Sequence, residues 1–191
     1  VSGQAKPDQP AIATGPKLAA ASPALDIQSL VEAQALDWTI VFSDDFDTWL
    51  FPTTWYTSWV TYTSGVDAQW KDVLTDTSPY HSGFYAAWPA GAGADAPPFL
   101  SDGYPNDMNS WMIQGPFDFS TKTDVFVSFN VWYETEPNFD WLYLCILPDP
   151  AAPAWDCNNY WSGSSGGWSN QAFWLTSYAG YPEVQIAWVF Y

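Results

Sequence analysis

The chain has 191 residues and a formal net charge of -17, from 21 Asp plus Glu against 4 Lys plus Arg, and it carries 14 Trp, 11 Tyr and 12 Phe. The four basic residues are Lys6, Lys17, Lys71 and Lys122, so there is no Arg. Too little positive charge exists to displace counterions from a polyanion, which excludes nucleic acid as a partner. It also argues against anionic membrane surfaces, and no apolar run reaches the ~18 residues that a membrane helix needs.

Residues 1–35 hold Pro7, Pro10, Pro16 and Pro23, many Ala and no aromatic residue. This is the composition of an extended arm or linker. Its apolar residues Ile12, Leu18, Leu25, Ile27 and Val31 are the candidates for self-association. Leu25 to Val31 reads two ways: a short helix capped by Asp26, or a strand in which Leu25, Ile27 and Val31 alternate. The chain opens at Val1 without Met, which points to a processed chain with its signal peptide removed.

From Trp38 the signals are those of strands, and the domain is expected to occupy 36–191. Trp38-Thr39-Ile40-Val41-Phe42 is β-branched and aromatic, a first strand. Trp55, Trp59, Val60 and Tyr62 mark a second, and Phe84 to Trp88 a third that Pro89 should end. Ser110 to Ile113 is a fourth. The clearest alternation runs from Asp124 to Tyr133, with Val125, Val127, Phe129, Val131 and Tyr133 on one face and Ser128, Asn130 and Trp132 on the other. Trp141 to Leu147 and Val184 to Tyr191 are nearly continuous apolar runs, as in central sandwich strands. Helical periodicity is nearly absent after residue 36, so the fold class is all-β, a sandwich.

The chemistry-bearing residues are few. A Ser-His-Asp or Cys-His scheme would have to run through the single His81, which reads better as a turn residue before a strand. A zincin helix needs two His and is impossible. Cys145 and Cys157, 12 apart, fit neither a CxxC redox motif nor a zinc ribbon. A surface disulfide bridging a loop is the natural reading, with two free buried thiols as the alternative; a bridge implies an oxidising compartment. Asp44-Asp45-Phe46-Asp47 and Glu134 to Asp140 are acidic segments. Calcium takes six to eight oxygens, and clustered carboxylates on neighbouring loops supply them; solvated acidic loops are the plain alternative. Nothing singles out a carboxylate pair in a cleft as a glycosidase would require, so no enzyme is expected. Trp155, Tyr160 and Trp161, in a stretch that reads as a loop around the bridge, are the candidate sugar-stacking surface. Burial of such rings in a protein interface is the competing reading.

The order of segments resembles a known family. Phe42-Ser43-Asp44-Asp45-Phe46-Asp47, His81-Ser82-Gly83-Phe84-Tyr85-Ala86, Ser110-Trp111-Met112-Ile113, Phe119-Ser120 with Val125 to Tyr133, Glu136 to Leu144, Trp161 to Trp168 and Leu175 to Gly180 together resemble the MAM-like jelly-roll modules that accompany secreted metallopeptidases of the immune inhibitor A type. Coverage runs from about Trp38 to Tyr191. The resemblance implies a jelly roll, secretion to the cell exterior, and a non-catalytic accessory or adhesive role. It also implies calcium in acidic loops, with Asp45, Asp47, Glu136 and Asp140 as ligands by position. The peptidase part is absent, and the family's acidic strand after Val184 to Tyr191 is absent too. A sandwich one strand short exposes an edge, which either an arm donated by a neighbour or the chain's own arm folding back in cis can fill. Head-to-tail donation builds a homo-oligomer or filament. Two functions are therefore expected: a self-assembling structural or adhesive subunit, or a carbohydrate-binding accessory module of a secreted enzyme.

Overall fold

The computed structural model describes residues 38–46, 59–74, 85–98, 103–151 and 154–191. Arm residues Ile12, Leu18, Leu25, Ile27 and Val31, the ligand candidate Asp47, and His81 lie outside these.

Nine strands are described: β1 (Trp59–Thr63), β2 (Gln69–Leu74), β3 (Tyr85–Ala92), β4 (Ser110–Phe117), β5 (Phe126–Val131), β6 (Leu142–Leu147), β7 (Asp156–Trp161), β8 (Ser169–Trp174) and β9 (Val184–Phe190). A short 3-10 turn spans Thr176–Tyr178, and no α-helix occurs among the described residues. The protein is all-β. One antiparallel sheet has the order β1-β4-β9-β6-β7, and the pairs β2-β3 and β5-β8 form two smaller antiparallel sheets.

Alternation decides the layering. Val184, Ile186 and Phe190 of β9 and Leu142, Leu144 and Ile146 of β6 are buried on one face of the large sheet. There they meet Phe173 of β8 and half-buried Val127 and Phe129 of β5 at one end, and Trp70 of β2 and Ala90 of β3 at the other. Trp70 Nε1 donates to the Ser110 carbonyl at 3.0 Å, and Ser110 Oγ donates to the Pro89 carbonyl at 3.1 Å, which ties β2 and β3 to β4. The opposite face of the large sheet buries Trp111, Cys145, Cys157, Ala187 and Val189. Central strands apolar on both sides read as unbroken hydrophobic runs, as β6 and β9 do.

Three strand readings need correction. Trp38 to Phe42 joins no strand; Ile40 and Val41 are exposed and the segment ends in a turn where Phe46 N donates to Asp44 Oδ1 at 2.8 Å with Phe46 at φ 60°. Its rings pack without a ladder: Trp38 lies 5.8 Å from Trp174, and Phe42 lies 5.9 Å from Phe117. β3 continues through Pro89 to Ala92, because its pairing with β2 is irregular between Gln69 and Lys71 and the ladder does not need that N–H. Residues 156–161 form strand β7 rather than a loop. Asp156, Asn158 and Asn159 are poor strand formers, yet β7 pairs with β6 through Leu142↔Trp161, Tyr143↔Tyr160 and Leu144↔Asn159.

Candidate functional site

The alternation of β5 builds a surface. With Val127, Phe129 and Val131 turned to the core, Phe126, Ser128 and Asn130 take the other face. Antiparallel register sets Trp174 beside Phe126, Ala172 beside Ser128 and Asn170 beside Asn130. One step further, Trp132 and Trp168 meet with ring centroids 6.2 Å apart in an edge-to-face arrangement. At the opposite end Trp38 joins Phe126 and Trp174, with centroids 5.8 to 6.4 Å apart. Between the two aromatic ends the paired positions of β5 and β8 carry amides, a hydroxyl and a methyl group.

The middle of this face is polar and organised. Asn170 Nδ2 donates to Asn130 Oδ1 at 3.0 Å and to Ser128 Oγ at 3.2 Å. Trp132 is 43% exposed and Trp174 37%, so two large rings remain in contact with water. No ionisable residue lies on the paired positions; Asp124 and Glu134, both exposed, flank β5 at its two ends. The sequence already put Ser128, Asn130 and Trp132 on one face. It did not show β8, because Ser169-Asn170-Gln171-Ala172 has little strand propensity.

The aromatic residues first singled out separate. Trp155 packs edge-on against Trp111 at 5.5 Å on the far face of the large sheet. Tyr160 is exposed and sits near Trp141 and Tyr143, at 5.2 and 5.9 Å. Trp161 points into the core, edge-on to Phe129 at 5.8 Å and 5.9 Å from Phe173. The cause is the strand: adjacent residues of β7 face opposite ways, so Tyr160 and Trp161 cannot share one surface.

The acidic residues are placed as follows. Asp45 is exposed in the turn that ends 38–46. Asp140 Oδ2 accepts from Tyr104 Oη at 2.7 Å and from the Glu136 N–H at 3.3 Å, while the Glu136 side chain is exposed. Among the described residues no three His, Cys, Asp or Glu side chains converge on a common point. Cys145 and Cys157 form a disulfide, which fits an oxidising compartment. It joins β6 to β7 where β7 carries an extra residue between its pairings Leu144↔Asn159 and Ile146↔Asp156.

Burial and the neighbouring Asp140 carboxylate push the Tyr104 hydroxyl up to about 12. Tyr178, buried and donating to Asp156 Oδ2 at 2.6 Å, is raised as well. A phenol whose folded value lies above its unfolded value of about 10 keeps its contribution below that pH and loses it as pH rises towards 12. Unfolding midpoints in urea are therefore expected to fall above pH 10, and Tyr104→Phe to fall less steeply over the same range. An equally steep fall in the variant would contradict the role of Tyr104.

No protein-family model matches the chain, and no solved structure matches it. The chain is similar to Bacillopeptidase F of Bacillus subtilis (strain 168), with 25% identity over 81 residues. The match covers 42% of this chain and 6% of that protein, so it reaches a small part of a much longer peptidase.

Proposed function

We propose that the protein is a non-catalytic extracellular module that adheres to carbohydrate through the β5-β8 face. The observation that carries this is the exposed Trp132, backed edge-on by half-buried Trp168 and set beside the Asn130–Asn170 amides. Aromatic rings offer an apolar face to the C–H side of a sugar, and amides meet its hydroxyls in both donor and acceptor senses. The partial similarity to a peptidase supports an accessory role beside such an enzyme; the MAM-like jelly-roll type rests on the order of the sequence segments. Retention on insoluble cellulose, chitin, xylan and mannan tests the reading. The full chain is expected to be retained on at least one and Trp132→Ala/Trp168→Ala on none; equal retention of both would overturn it.

Assembly into a filament or surface layer by donation of residues 1–35 to a neighbour is a separate proposal resting on the sequence. Sedimentation of the full chain and of residues 36–191 tests it: loss of assembly on truncation supports it, and unchanged assembly refutes it. Calcium held by Asp45, Asp47, Glu136 and Asp140 also rests on the sequence, and a melting midpoint unmoved by EDTA would exclude it.

A further inference from the structure

We infer that the β5-β8 face takes an extended, uncharged polysaccharide chain lying along the strands, and discriminates against single sugars and acidic glycans; this rests on the carbohydrate reading above. Length is the first argument. Phe126 opens β5 and Trp132 follows its last residue, six positions on; at about 3.3 Å per residue of extended chain the two aromatic ends stand about 20 Å apart. A single sugar ring can touch only one of them. The cross-strand pairs between them, Ser128 with Ala172 and Asn130 with Asn170, are small or hydrogen-bonded to each other. They leave a shallow strip bounded by rings at both ends, and a chain following that strip engages all of it.

Charge is the second argument. Among the described residues the paired positions of the strip carry no ionisable side chain, Asp124 and Glu134 stand exposed at its two ends, and the whole chain carries -17. Lys122 is the basic residue preceding β5, and it interacts with Asp118. A polyanion approaching this face meets net repulsion with no Arg or free cluster of Lys to offset it. A neutral polymer escapes that cost, and its binding should be nearly independent of salt because no ion pair forms.

Calorimetric titration of the full chain separates the claims. The probes are neutral β-1,4-linked hexasaccharides of glucose, xylose, mannose and N-acetylglucosamine, the matching disaccharides, and the cellohexaose derivative oxidised to carboxylate at C6. At least one neutral hexasaccharide is expected to bind more than tenfold tighter than its disaccharide, and the oxidised hexamer more weakly than cellohexaose at low salt. Trp132→Ala and Trp174→Ala, at opposite ends of the strip, should each weaken the hexasaccharide by about 30-fold, the size of an aromatic anchor. Disaccharides as tight as hexasaccharides, an oxidised hexamer that binds as well as cellohexaose, or a Trp174→Ala variant of unchanged affinity would overturn the extended neutral ligand while leaving carbohydrate binding intact. Absence of binding by every saccharide, with the wild-type circular dichroism spectrum retained, would overturn both.

Discussion

Leu144→Ala is expected to lower the stability of the protein by about 4 kcal/mol, near the upper part of the range for a leucine truncated in a packed core. Leu144 is fully buried in the middle of β6, and β6 lies between β9 and β7. Its neighbours in the cluster come from several elements: Ile186 from β9, Phe173 from β8, and Phe119 and Leu175 from connecting segments. Rings and branched side chains held by separate strands cannot all move into the vacated space, so the cavity persists and adds to the lost transfer energy. With a whole domain stable by about 5–15 kcal/mol, this single change removes a large fraction. Urea denaturation followed by tryptophan fluorescence reads the effect as a lower midpoint at unchanged slope. A loss below about 1 kcal/mol would mean that β6 does not lie between the layers.

The second large effect is expected from Cys145→Ala/Cys157→Ala, a loss of about 3 kcal/mol for a closed loop of this length. The crosslink restricts the unfolded chain between β6 and β7, and in the folded protein both sulfurs are buried against Trp111, Ala187 and Val189. Reducing agent should bring the wild type close to the double variant and leave the double variant unmoved. A wild-type midpoint unaffected by full reduction would contradict the bridge as a stabilising element. The two effects should add only partly, because Leu144 and Cys145 are adjacent on one strand.

These two sites differ in how far the sequence disclosed them. The runs at 141–147 and 184–191 announced central strands because both of their faces are buried, one against the smaller sheets and one around the disulfide. The Cys145–Cys157 bridge was the favoured reading because the spacing suits no metal or redox motif, but it is buried between β6 and β7 rather than at the surface, since the strand nature of β7 could not be read. Polar strands stayed hidden. Gln69–Leu74 and Ser169–Trp174 carry Gln, Lys, Asp, Ser and Asn, and only long-range pairing makes them strands. β7 was hidden in the same way, and with it the reason that Tyr160 and Trp161 part company. Trp38 to Phe42 erred in the other direction: β-branched and aromatic residues signalled a strand, but they serve as ring contacts at the edges of the sheets.

The β5-β8 face was half legible for the same reason. Ser128, Asn130 and Trp132 on one side of β5 could be read from alternation, whereas Asn170, Trp168 and Trp174 became their neighbours only through the β5-β8 register. Tryptophans were numerous enough that composition could not say which ones face water. Packing decides that: Trp161 and Trp188 close on Phe129 in the core, while Trp132 and Trp174 remain exposed.

Hydrogen exchange of the full chain, with and without a saturating neutral hexasaccharide, tests this account most directly. Added protection confined to residues 126–132 and 168–174 is the predicted result. Binding that protects 156–161 around Tyr160, and leaves 126–132 and 168–174 exchanging as before, would contradict it.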